Sequence, residues 1–164
     1  MDTEGSLEPE SEAAAAAAFE SAGPTARSVV REVAKAMAFD REEYRERVTG
    51  EVVETARNAL FAERLRVAAG SREEFEAWRE EHPDYEVTEL GSPSVGRVVW
   101  HAAPFAREAV AATFENEREA AVGTLRRQAF GRIYRPRFEG AGNDEGGSDA
   151  ADDGSDDDAD EAED

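Results

Sequence analysis

Residues 97–138 read RVVWHAAPFAREAVAATFENEREAAVGTLRRQAFGRIYRPRF, and they constrain the fold more than any other stretch. Arg97 to Ala102 has the composition of a short apolar strand. Pro104 then suits the first turn of a helix, where its missing N–H costs nothing, so the spacing predicts one long helix beyond it. At ~100° per residue Phe105, Ala109, Ala112, Thr113 and Ala120 share one side of that helix, while Val122, Leu125, Ala129 and Ile133 lie almost opposite. A helix whose apolar side switches must touch two bodies or break near Asn116.

Charge separates the ends from the middle. Of 39 acids and 19 bases in 164 residues, six acids and no base fall in 1–23, and thirteen acids and no base fall in 139–164. The middle keeps 20 acids with all 19 bases and is nearly neutral, so the net charge of −20 sits mostly in the ends. Lys35 is the single lysine among those bases. Abundant carboxylates with arginine in place of lysine suit a salt-adapted cytoplasm. There the Debye length at ~1 M salt is only ~3 Å and self-repulsion hardly matters. The charge therefore does not by itself specify a cationic partner. With no cysteine, disulfides, thiolate metal sites and cysteine nucleophiles are excluded. No run approaches the ~18 apolar residues of a membrane span, and the acidic N-terminus lacks the basic region of a signal peptide. A cytoplasmic location with no membrane contact is expected.

Periodicity supplies the remaining elements. Residues 1–6 are expected without structure; an alanine-rich helix from Pro9 is expected to stop at Gly23-Pro24. Ala26, Val29, Val30, Val33, Ala34 and Met37 then predict an amphipathic helix over 25–38, capped by Thr25. Asp40 with Glu43 forms a capping-box pattern for a short helix to Val48 that turns Tyr44 inward, and 50–63 forms a third. Leu65, Val67 and Ala69 alternate as a strand ended by Gly70, and Ser71 with Glu74 caps a helix to Glu81. Tyr85–Leu90 and Arg97–Ala102 are expected to form a hairpin around the loop Gly91–Gly96. The fold class is therefore α+β. It has an N-terminal layer of about three to four helices, a sheet of about three strands in β-α-β-β order, and a long C-terminal helix bridging the two. Three segments follow: 1–23, acidic with the alanine-rich helix; 24–138, a single α+β domain; and 139–164, an acidic tail without an apolar anchor and expected to be disordered.

Chemistry is sparse. His82 and His101 are the only histidines, and no metal-binding spacing surrounds either. The many glutamates fall on solvated helix faces rather than in a cleft that would separate their pKa values. No catalytic residue, cofactor or metal is expected. Arg126, Arg127, Arg132, Arg135 and Arg137 form an acid-free run that could meet phosphate, although they spread around the helix rather than along one stripe. The three N-terminal helices followed by strands also have the order of a winged helix-turn-helix. Its would-be recognition helix, GEVVETARNALFAER, carries three glutamates against two arginines.

The stretches VVREVAKAM, REEFEAWREEHPDYEVTELGS, RVVWHAAPF and EREAAVGTLRRQAFGRIYR resemble a small family of uncharacterised haloarchaeal proteins, a domain of unknown function, over about residues 1–138. That resemblance implies salt adaptation and brings no activity, cofactor or site. The leading expectation is a non-enzymatic cytoplasmic interaction or regulatory protein with an unidentified protein partner. The alternative is a nucleic-acid-binding regulator using the N-terminal helices or the terminal arginines. A third reading is an enzyme with a pocket at Trp78, His82, Trp100 and His101. A monomer is favoured, with Val122, Leu125, Ala129 and Ile133 packed against the helix bearing Val29, Val33 and Met37. A homodimer would instead use those four residues as its interface.

Overall fold

A computed structural model describes residues 1–144. Its centre is a five-stranded mixed sheet in the order β1-β2-β4-β5-β3. The strands are β1 (Asp2–Glu4), β2 (Val67–Ser71), β3 (Glu86–Leu90), β4 (Arg97–Ala103) and β5 (Glu108–Phe114). All neighbours are antiparallel except β3 and β5, which run parallel with Val87 beside Ala109 and Leu90 beside Ala112. The helices are α1 (Glu12–Ala36), α2 (Arg41–Arg47), α3 (Gly50–Arg64), α4 (Arg72–Glu81), α5 (Arg118–Ala129) and α6 (Arg135–Asp144), the last two joined through a π-helical turn at Phe130–Tyr134. The α+β class is as expected; several elements are not.

The long helix from Pro104 is the main correction. Pro104–Arg107 is a turn: Ala106 N–H donates to the Ala103 carbonyl, and Arg107 adopts φ +54. The chain then forms β5, and α5 begins only at Arg118. Glu, Ala and Val are compatible with a helix, but here both faces of the strand are covered. A strand buried on both faces shows no alternation to read. Ala111 lies in register with Trp100 beneath α4, and Val110 and Ala112 face the opposite layer. The expected hairpin fails for the same reason, because β5 inserts between β3 and β4.

Two further corrections concern the N-terminus. Residues 2–4 are not structureless but pair with β2, with Asp2 opposite Ala69. Gly5 follows at φ +87, where an added Cβ would collide with the Leu65 carbonyl. Nor does the first helix stop at Gly23-Pro24: α1 passes through both. A proline inside a helix costs ~3 kcal/mol. The offset is a stripe of Ala15, Ala22, Ala26, Val30 and Ala34, all buried and running the length of α1. The end near residue 38 is as expected. It is a Schellman closure, with Ala38 N–H donating to the Lys35 carbonyl and Phe39 N–H to the Ala34 carbonyl, and Ala38 at φ +56 in the position that favours glycine.

Of the expected caps, Thr25 lies inside α1, whose cap is Ser11, the Asp40–Glu43 motif forms in one direction only, and the Ser71–Glu74 motif forms in full. Asp40 accepts from Glu43 N–H, and Ser71 and Glu74 form a reciprocal capping box. Tyr44, however, stays exposed rather than turning inward.

The sheet divides the apolar interior. One face carries Val67, Val99, Ala103, Val110 and Ala112 beneath α3, α5 and the π turn. The other carries Val98, Trp100 and Ala111 beneath Phe75 of α4. Val122, Leu125, Ala129 and Ile133 all belong to the first core, each at most 3% exposed. Their expected mate is not there: Val29, Val33 and Met37 face outward, 42–58% exposed. Pro136 accounts for the π turn, since its ring would strike the carbonyl four residues back and the preceding turn widens to avoid it. The widened turn points both Ile133 and Tyr134 into the core, and the Arg137 guanidinium donates to the Ile133 carbonyl at 2.6 Å. The helix continues past residue 139 to Asp144; the rest of the acidic tail, 145–164, lies outside the described residues.

Candidate functional site

Three of the four aromatic candidates, Trp78, His82 and Trp100, meet on one face of the sheet, and His101 lies on the other. Alternation along β4 sends Trp100 to the α4 face and His101 to the other. On the α4 face Trp78 stacks on His82 with ring centroids 4.6 Å apart, Tyr85 stands edge-on to both, and Trp78 and Trp100 are 6.3 Å apart. His82 Nδ1 lies 2.7 Å from the Trp78 carbonyl, so its Nδ1–H donates there and its ring is held flat against the indole.

His101 is 1% exposed and satisfied at both nitrogens. Nδ1 is 2.7 Å from the Arg66 carbonyl and Nε2 is 2.7 Å from the Tyr134 hydroxyl. A carbonyl can only accept, so Nδ1 carries the proton and Nε2 accepts from the tyrosine. Burial, with Arg126 nearby, pushes the imidazole down from 6.5 to about 4, although the Arg66 carbonyl works the other way. Burial also raises the Tyr134 phenol well above its usual range. The pair is therefore a neutral, hydrogen-bonded bolt between β4 and the π turn. No local signal in the sequence pairs Tyr134 with His101, because only the π turn aims the tyrosine at β4.

The five C-terminal arginines also separate. Arg126 is 8% exposed; its Nε–H donates to the Leu65 carbonyl at 3.0 Å, and its guanidinium lies 3.8 Å from Glu63. Arg137 pairs with Glu108 at 3.0 Å and lies over the Phe105 ring. Arg127, Arg132 and Arg135 are exposed, and Arg135 covers Phe130. Among the described residues no three His, Asp or Glu side chains gather to hold a metal, and no helix is long and apolar enough to cross a membrane.

Two clefts flank the seam where α1 packs on α3, with α2 closing one end, and they share Val30 and Val48. On one side is an open apolar groove of about 620 Å³, walled by Val29, Val33 and Met37 of α1, by Val52 of α3 and by Phe39, with Ala34 and Ala56 in its floor. Arg47 is the only charged residue in its lining, and its guanidinium sits over the Phe39 ring. Contiguous exposed apolar surface of this extent is uncommon on a monomeric protein. On the other side is a cleft of about 410 Å³ lined by Arg27 and Arg31 of α1, Tyr44 of α2 and Arg57 of α3. The periodicity of α1 showed both stripes but not that one would be left uncovered, because coverage depends on where α3 and α5 pack.

No curated protein and no solved structure matches the chain. A family described as a family of unknown function, DUF5809, matches residues 6–135, which span β2–β5 and all of α1–α5, and the protein belongs to that family.

Proposed function

We propose that the protein is a non-enzymatic interaction protein, acting in the cytoplasm of a salt-adapted cell, whose apolar groove takes an amphipathic helix of a protein partner. The observation that carries this reading is the outward stripe of Val29, Val33 and Met37, completed across the groove by Val52. From Val29 to Met37 the stripe spans ~12 Å at ~1.5 Å per residue. That length suits the two turns of an incoming helix with anchors at i, i+3 or i+4, and i+7. The small floor residues Ala34 and Ala56 let such a helix approach closely, and Arg47 at the rim favours an acidic flank on it. Apolar association also persists in molar salt, where charge steering is screened.

The test is an affinity capture from native cytosol in molar potassium chloride, comparing the wild type with Val33→Asp/Met37→Asp, each with and without nuclease. The expected result is a protein partner retained by the wild type under nuclease and lost by the variant, with the two melting alike because both positions are exposed. Capture that disappears with nuclease would promote nucleic acid as the partner. Light scattering that shows a wild-type dimer split by the variant would assign the groove to a second copy.

A further inference from the structure

We propose that the second cleft, on the other side of the α1–α3 seam, binds a small phosphorylated molecule, with Arg27, Arg31 and Arg57 as cationic ligands and the Tyr44 hydroxyl as a further donor. This site is distinct from the protein-binding groove and does not depend on it.

The cleft encloses about 410 Å³, within the ~300–1,000 Å³ of small-molecule sites. Val30, Val48 and Val53 supply an apolar wall beside the arginines, and Glu54 is the single acid in the lining. The lining therefore carries two more positive than negative charges in a chain whose net charge is −20. Among the described residues none of the three arginines has a carboxylate within ion-pair distance. Arg27 and Arg31 stand one turn apart on the same face, a like-charge spacing that by itself disfavours the helix, and Arg57 adds a third charge across the cleft. An anion between them removes that repulsion.

Arg57 is also positioned in advance. Its Cζ lies 4.0 Å over the Phe19 ring, while its Nε–H is closed off from solvent and has no hydrogen-bond partner among the described residues. A planar guanidinium held on an aromatic face loses less freedom on binding, and Arg57 borders both this cleft and the cavity beside Phe19. Gly50, the first residue of the 15-residue α3, is also in the lining, so the start of that helix borders the cleft; Thr49 Oγ1 accepts from Val52 N–H there. The combination of several guanidinium groups and a phenol along one cleft fits a di- or triphosphate better than a single carboxylate.

The experiment is calorimetric titration of the full chain with inorganic pyrophosphate, and in parallel with ADP and adenosine, in buffer of moderate and of molar salt. One saturable site for pyrophosphate and ADP is expected, with none for adenosine. Arg27→Gln/Arg31→Gln should weaken it ~10–100-fold, as loss of charge-assisted hydrogen bonds does. Arg57→Lys, which keeps the charge and loses the fork, should weaken it at least ~10-fold. Arg127→Gln/Arg132→Gln changes net charge by the same amount away from the cleft and should leave affinity unchanged. Arg27 and Arg31 are exposed, so their double variant keeps the fold, which its melting curve checks. Absence of saturable pyrophosphate binding, or equal weakening in the Arg127/Arg132 control, would overturn the proposal.

Discussion

Acid should weaken this protein through one residue more than through any other single group, and that residue is His101. Above its ordinary value of 6.5 the imidazole is neutral in both the folded and the unfolded chain. Between 6.5 and about 4 the unfolded chain takes up a proton that the native state does not, because burial, with Arg126 nearby, disfavours the charged imidazolium. Stability is therefore complete above pH 6.5 and is lost as pH falls through that window, with no further loss below about 4. At ~1.4 kcal/mol per pK unit the full linkage is about 3 kcal/mol, and most of it is gone by about pH 4.5. The carboxylates titrate in the same range, so the measurement must be a difference. Urea unfolding of wild type and His101→Gln at several values from about pH 7.5 to about 4.5 cancels groups common to both. At about pH 7.5 the variant should be less stable by about 1–2 kcal/mol, since glutamine cannot reproduce both bonds. By about pH 4.5 the wild type should have lost about 2–3 kcal/mol more than the variant, closing or reversing the gap. Tyr134→Phe, which leaves Nε2 buried without a donor, should cost ~1–3 kcal/mol at about pH 7.5. Stability curves for wild type and His101→Gln that stay parallel across this range would refute the assignment.

Four other substitutions test the packing. Leu125→Glu and Ile133→Glu each place a carboxylate at a fully covered position and should cost several kcal/mol out of a typical ~5–15; a folded monomer with an unchanged melting curve would contradict the burial. Pro24→Ala restores a donor inside α1 and should stabilise by ~1–3 kcal/mol; an unchanged or lower melting temperature would mean the helix tolerates or needs the proline there. Ala38→Gly relieves the left-handed residue that closes the same helix and should add ~1 kcal/mol, read as a higher urea midpoint at constant slope.

What was legible followed from local chemistry. The α4 capping box, the α2 cap and the closure near residue 38 depend on residues a turn apart, and each formed where side-chain spacing placed it. Gly23-Pro24 misled because its local penalty is real but smaller than the packing of a whole apolar stripe. Glu108–Phe114 misled because a strand covered on both faces by Phe75, Trp100 and the opposite core needs alanine, which is also the best helix former. The break near Asn116, one of two outcomes for a switching apolar face, is where β5 gives way to α5. At the candidate sites the unpaired arginines and the outward valines were visible as residues. Their convergence across α1, α2 and α3 was not, because the angle between helices is a property of side chains far apart in sequence.

The placement of β5 between β3 and β4 has a consequence for synthesis. A chain is made from its N-terminus at ~5–20 residues per second, so β3 leaves the ribosome before either strand that will sit beyond it. Its sole neighbour in the sheet is β5, which is made after β4. Until Glu108–Phe114 emerges, β3 has nothing to pair with, and β4 has β2 on one edge and an open ladder on the other. The sheet therefore closes from its middle in one late step, when β5 slots between two waiting edges. A nascent chain stalled before Glu108 would present the unfilled edge of β4 to any strand nearby, so the interval before β5 appears is when this protein is most exposed to mispairing and to chaperones.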